Sequence, residues 1–459
     1  MIERTRIDET HDPGLESWVA AANAADGDFP VQNLPFGTFR REFEERPRVG
    51  IAIGDQVLDC VEAARAGCFD SLDPSVRDAL QGWSMNGLMA LGRADARAVR
   101  RVASRMLRAD GDLAGATRAL ADRVLVPMTD VSLLVPAEVG DYTDFYASVF
   151  HATRVGALFR PDNPLLPNYK WIPIGYQGRA SSIGARGAPV HRPSGPTRAA
   201  GATDAPPVVG PSRSLDYEVE LALWVCGENA LGETVPIARA ADRLFGVGLL
   251  NDWSARDLQS WEYQPLGPFL SKSFVTTVSP WIVTPDALEP CRAAASGRAA
   301  GDPAPLPYLD DAGDRAHGAF GIVVEALLSS ARMRAEGIAP HRLSVSDART
   351  LYWTPAQMIA HHASNGCNLR PGDLLGTGTV SGPTDDSRAC LLEITRRGAE
   401  PVSLPGGETR TFLQDGDEVI LRGWCERAGA RRIGFGECRG TVRGASHMNG
   451  AGAPLEDGR

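Results

Sequence analysis

The chain has 459 residues, of which 43% are hydrophobic and 23% charged, with a formal net charge of −10. That length accommodates two or three domains at a prior of ~150 residues each. The acidic balance disfavours nucleic acid as the main partner, and no apolar run reaches the ~18 residues that a membrane span needs.

The N-terminal stretch MIERTRIDETHDPG is too polar for a signal peptide, and residues 1–15 are expected to be flexible. Residues 30–60 predict short strands, with a Gly-Asp hairpin signal inside IAIGDQVLDC. Residues 74–125 turn to Ala, Arg and Leu at helical spacing, as in VRRVASRMLRA, and Val135-Pro136 marks a boundary. The eight cysteines include no CxxC pair, which fits reduced thiols in a cytoplasmic protein better than disulfides or zinc. Of 47 basic residues only Lys170 and Lys272 are lysines, so either can mark a site that needs a compact ammonium rather than a planar fork.

Next comes DYTDFYASVFHATRVGALFR, Asp141 to Arg160, which holds two acids, two tyrosines and His151. A turn-rich GYQGRASS follows, then a Pro/Gly/Ala loop over 195–212. LDYEVELALW alternates as a strand should: Leu215, Tyr217, Val219, Leu221 and Leu223 share one face, and Asp216, Glu218, Glu220, Ala222 and Trp224 share the other. The acids leave two readings open, a wet surface or one wall of a cation site. In NDWSARDLQSWEY the spacing predicts a helix on which Asp252, Arg256, Gln259 and Tyr263 lie within about 60° of one another. That stripe is either an exposed face with an i, i+4 ion pair or the lining of an internal cavity.

A second insertion covers 286–308, and from 318 onward the pattern is mostly strand and turn. In HHASNGCNLRPGD the adjacent histidines predict a helix end rather than a metal site, since no further ligand stands at zinc spacing. Gly376-Thr377-Gly378 lacks the rest of a dinucleotide fingerprint. Glu393 interrupts the apolar run CLLEIT and calls for a buried partner. Taken together, Asp144, Glu218, Glu220 and Asp252 are oxygen donors suited to a hard cation, Mg²⁺ or Ca²⁺.

DYTDFY…HAT, GYQGRASS, LDYEVE, NDWSARDLQSWEYQPLGPFLSKSF, HHASNGCNLRPGDLLGTGTVSG and RIGFGECRGTV resemble the fumarylacetoacetase family, densely from Asp141 to Val442. LPFGTF and RPRVGIAIGDQVLD extend the likeness to that family's extra N-terminal domain. The resemblance implies a mainly β fold with some helix: a small SH3-like N-terminal barrel over 16–135, with its helical segment, and a β-roll catalytic domain over 136–443. A disordered tail over 444–459 and a cytoplasmic homodimer complete the expectation.

The implied reaction is metal-dependent hydrolysis of the C–C bond of fumarylacetoacetate, a diketo-dicarboxylate, at the end of tyrosine and phenylalanine catabolism. Related acylpyruvate or fumarylpyruvate hydrolases and β-keto acid decarboxylases are the alternative, and a non-catalytic metal-binding protein is the alternative of another class. Carried over by position, the metal site comprises Asp144, Glu218, Glu220 and Asp252, with Lys272 and Thr276 beside it. His151 becomes the general base, oriented by Glu393, and Arg256, Gln259 and Lys272 stand near the oxyanion. Tyr146, Arg160, Tyr176, Gln259, Tyr263 and Thr379 contact substrate. Such a reaction needs these types: a cation to hold the departing enolate, donors for the oxyanion, and an imidazole to take a proton from water. Gln177 stands where the family has a histidine, and Val149 and Phe150 are apolar neighbours of His151.

Overall fold

A computed structural model describes residues 7–198 and 206–445. Most of the expected tail, and part of the 195–212 loop, therefore lie outside the described residues. Of the expected flexible N-terminus, residues 8–11 form a turn capped by Asp8, and the His11 ring bonds the Asp286 carbonyl at 2.7 Å.

The fold is mixed α/β. Strands Phe36–Arg41, Arg48–Ile53, Gln56–Asp59 and Leu125–Pro127 follow one another in an antiparallel sheet, which Val131–Leu133 joins along Phe36–Arg41. Its last strand, Trp281–Ile282, comes from far along the chain and pairs Phe36 with Ile282. The expectation of a mainly β chain gives too little weight to the helices packed on this sheet, among them Pro74–Leu80, Asn86–Leu91 and Arg93–Leu107. Arg93–Leu107 buries Ala96, Val99, Ala103, Met106 and Leu107, the apolar stripe of an amphipathic helix.

Two further sheets build the larger part. One has seven strands in the order Gly175–Gln177, Tyr142–Phe145, Leu374–Gly376, Val219–Val225, Leu244–Asp252, Thr276–Val278 and Ile183–Ala185. The other has five: His341–Asp347, Ile322–Ser329, Glu418–Cys425, Ile433–Arg443 and Pro189–His191. Val219, Leu221, Leu223, Val247 and Leu249 meet Val324, Ala326, Leu421 and Phe435 in one core between the sheets.

Because strand side chains alternate, the opposite face of the seven-stranded sheet presents Tyr142, Ala222, Trp224, Leu250, Val278 and Leu374. These residues belong to the same core as Phe36, Met89 and Val99 of the N-terminal layer. Neither face of Val219–Val225 is wet, since every residue in it is buried. The wet-surface reading of the acids in LDYEVELALW is thereby excluded, and the strand itself breaks between Asp216 and Val219.

Candidate active site

Asp144, Glu220 and Asp252 arise from three strands of the seven-stranded sheet, on the face whose other residues enter the N-terminal core. Register brings them together: Gly376 pairs with Asp144 on one side and with Ala222 on the other, while Val219 pairs with Asn251. One carboxylate oxygen from each of the three lies within 4.8 Å of the other two, and all three residues are buried. Gly376 floors the group. A Cβ there would sit 2.5 Å from Asp144 Oδ1, 2.9 Å from Glu220 Oε2 and 3.2 Å from the Tyr142 hydroxyl.

Asp144 Oδ1, Glu220 Oε1 and the Tyr142 hydroxyl are buried with no hydrogen-bond partner among the described residues. Buried acceptors left unmatched in this way are costly unless a cation or water satisfies them. Burial, with the Asp252 charge adding to it and Lys272 opposing it, pushes the Asp144 carboxyl up to about 8. Glu220 is raised still more plainly, by burial and then by Asp144 and Asp252. A cage of oxygen donors that resist ionisation in the absence of positive charge fits a hard divalent cation.

The fourth expected ligand, Glu218, stands at the border between this cage and a cationic group. Lys272 Nζ donates to Glu218 Oε2 at 2.5 Å and also bonds Asp252 Oδ2. Arg256 Nη2 lies 2.8 Å from Glu218 Oε1, without the alignment of a hydrogen bond. Burial opposes ionisation of Glu218, but Arg256, Lys272 and His151 outweigh it and hold the carboxyl well below its usual range. Asp252 also accepts from the Tyr176 hydroxyl at 3.0 Å and from Thr276 Oγ1 at 3.2 Å, and Gly378 N–H donates to Glu220 Oε2 at 3.0 Å.

His151 sits in the first turn of helix Val149–Phe159, where Ser148 Oγ accepts its backbone N–H at 3.1 Å and so caps the helix. Its Nδ1 is 2.7 Å from Glu393 Oε2, and its Nε2 faces Glu218 Oε1 at 3.7 Å. With Nδ1 donating to the carboxylate, Nε2 is left as the acceptor, directed toward the cage. Glu393, on the short helix Leu391–Ile394, also accepts from Ser381 Oγ at 2.6 Å and Cys390 Sγ at 3.3 Å. Burial opposes its charge, yet His151 and these donors bring its carboxyl down to about 2. Tyr146 covers the imidazole edge-on, with ring centroids 5.2 Å apart.

The expected helix starting at Asp252 is not formed. Asp252 ends the strand Leu244–Asp252, laddered to Thr276, and the helix spans Arg256–Glu262. The strand ladder outweighs the i, i+4 spacing, and no Asp252–Arg256 pair results. Arg256 Nε instead donates to Asp216 Oδ2 at 2.9 Å, and its Nη1 to Gln259 Oε1 at 3.1 Å.

Of the remaining expected contacts, the Tyr263 ring lies tilted against Phe159 with centroids 6.3 Å apart, and the next residue, Arg160, has a buried Nε with no partner among the described residues. Thr379 Oγ1 is likewise buried and unpartnered. Gln177 is exposed, bonded to Thr143 rather than to the cage, and Lys170 pairs with Asp302 of the second insertion. Sequence reasoning placed Asp216 with the other acids but gave it no role, and passed over Tyr142, Ser381 and Gly376. Asp216 and Tyr142 each stand two residues before an expected ligand, Glu218 and Asp144, and that shared strand parity was the available signal.

Two family descriptions match the chain: "Fumarylacetoacetase N-terminal" over residues 32–136 and "Fumarylacetoacetate (FAA) hydrolase C-terminal" over 142–443. The fumarylacetoacetase of Caenorhabditis elegans is 47% identical over 423 residues, covering 90% of this chain and 96% of that protein. That of Arabidopsis thaliana is 44% identical over 419 residues, covering 91% and 96%. Among solved structures, a fumarylacetoacetate hydrolase from Exiguobacterium antarcticum has a TM-score of 0.48 at 18% identity, over 90% of this chain and 99% of that one.

Proposed function

The chain belongs to the fumarylacetoacetate hydrolase family, and on that premise we propose how it hydrolyses the C–C bond of fumarylacetoacetate to give fumarate and acetoacetate. The observation that carries the reading is the juxtaposition of His151 Nε2 and Glu218, 3.7 Å apart, where the His151–Glu393 dyad meets the carboxylate cage.

His151 Nε2 takes a proton from the water that attacks the ketone, while Nδ1–H stays donated to Glu393. Glu393, held ionised by its donors, fixes the tautomer and steadies the imidazolium. Arg256 and Lys272 stand beside Glu218, Gln259 is bonded to Arg256, and the three supply donors for the oxyanion that forms at the attacked carbonyl. When the C–C bond breaks, its electron pair leaves with the acetoacetate carbon, which then takes a proton. A divalent cation bound by Asp144, Glu218, Glu220 and Asp252 would lower the energy of that departing charge. Mg²⁺ or Ca²⁺ suits an all-oxygen donor set better than zinc or copper. Lys272 acts through its ammonium on Glu218 and Asp252, and Thr276 steadies Asp252 by its hydroxyl. The substrate's terminal carboxylate meets Arg160, with Tyr146, Tyr176, Tyr263 and Thr379 lining the approach.

The family resemblance also supports reading the N-terminal sheet as an SH3-like barrel, the larger part as a β-roll and the active form as a cytoplasmic homodimer. No helix among the described residues is long and apolar enough to cross a membrane. The test is a fumarylacetoacetate assay with Mg²⁺ or Ca²⁺ supplied, in which loss of substrate absorbance is matched by equimolar fumarate and acetoacetate. Turnover of fumarylpyruvate or oxaloacetate in its place would overturn the substrate assignment.

A further inference from the structure

Asp216 is fully buried, and among the described residues its carboxylate is met by four hydrogen-bond donors. Oδ1 accepts from its neighbour Tyr217 N–H at 2.9 Å and from Leu391 N–H at 2.7 Å. Oδ2 accepts from Leu392 N–H at 2.9 Å and from Arg256 Nε at 2.9 Å. Leu391 and Leu392 open the helix that carries Glu393, where backbone N–H groups have no partner inside the helix. One carboxylate thus grips the helix bearing the base's partner and, with its second oxygen, the guanidinium beside Glu218.

We infer that Asp216 is a positioning residue for the reaction, locking the His151–Glu393 dyad and the Arg256 guanidinium into a fixed mutual geometry. It touches neither the cage nor the expected substrate contacts, so its effect passes through Arg256 and Glu393. The inference rests on the roles given above to those two residues.

Asparagine is the informative replacement. It has one acceptor oxygen, so its amide N–H₂ must replace either Oδ1, against Tyr217 and Leu391 N–H, or Oδ2, against Leu392 N–H and Arg256 Nε–H, donor against donor. The D216N enzyme is expected to lose about 10²- to 10³-fold in kcat, the cost seen when an oxyanion donor is removed. KM and the Kd for Mg²⁺, titrated into the metal-free protein by calorimetry, should each stay within about threefold, since neither the cage nor the substrate contacts change. D216E, which restores two acceptor oxygens, is expected to recover part of the lost kcat. A merely structural role would instead lower metal affinity and raise KM along with the fall in kcat.

Should D216N fail to fold, D216S replaces it, because a hydroxyl still accepts from one helix N–H and brings no amide donor against Arg256. Wild-type kcat in either variant overturns the inference, and so does failure of both to fold, which would make Asp216 a requirement of folding. H151A measured alongside separates the two levels. If H151A keeps its activity, the proposed mechanism fails. If H151A is inactive while D216N is unimpaired, only the role of Asp216 fails.

Discussion

His151 Nε2 and Glu218 Oε1 stand 3.7 Å apart, with the other nitrogen of the ring committed to Glu393. Glu218 is also gripped by Lys272 and flanked by Arg256. This one contact joins the His151–Glu393 dyad to the carboxylate cage and its two cationic side chains.

The dyad sets the first expectation. E393Q keeps the shape of the side chain but removes the charge that holds the imidazole, and should lower kcat by about 10²- to 10⁴-fold, the range of general base catalysis. KM should change little. Steady-state kinetics on the metal-loaded enzyme check it, and an unchanged kcat would remove Glu393 from the mechanism.

The same carboxylate gives an acid-stability expectation. Its folded value of about 2 lies below the ordinary glutamate value. The unfolded state therefore binds the proton more readily, so this contribution to stability is present above about pH 4.5 and is lost as pH falls through about 2. Urea midpoints measured from pH 5 downward should fall less steeply in E393Q than in the wild type.

In the metal-free cage the sign reverses. Asp144 is raised to about 8 when folded, so the folded state holds the proton more tightly. Its contribution is complete below the unfolded value of about 4 and is lost as pH rises through about 8. The melting temperature of the metal-free protein should drop across that window, and Mg²⁺ or Ca²⁺ should restore it. Binding near neutral pH must release protons, which calorimetry in buffers of different ionisation enthalpy detects.

Gly376 gives a steric expectation. In G376A the new methyl would meet Asp144 Oδ1 at 2.5 Å and Glu220 Oε2 at 2.9 Å, both of them ends of the side chains proposed to hold the cation. Displacing them should weaken cation binding by more than the 10- to 100-fold typical of losing an outer partner. Metal titration of the folded variant reads this directly, and wild-type affinity would show that the cation sits elsewhere.

Local pattern in the sequence carried the strands and the long N-terminal helix, because alternation and helical spacing depend on near neighbours. It misplaced Asp252. The spacing to Arg256 looked like a helical pair, but the ladder to Thr276 keeps Asp252 in a strand, and each residue pairs across the fold instead. Asp216 escaped for a related reason. Its partners Arg256, Leu391 and Leu392 are 40, 175 and 176 residues away, and nothing in LDYEVE announces them. The family resemblance named the cage, the dyad, Lys272 and Thr276, while the bonds of Asp216 and Ser381 to their neighbours became visible only in three dimensions.

Tyr142 and Leu374 flank the cage and are packed into the core that Met89 and Val99 complete. The N-terminal layer is therefore the foundation of the reaction centre and not an appendage to it. A chain cut at the boundary near residue 136 would expose the back of the metal pocket to solvent. Substitutions far from the cage, at Leu88 or Met89 for instance, would then act on it through the packing they share with Tyr142 and Leu374.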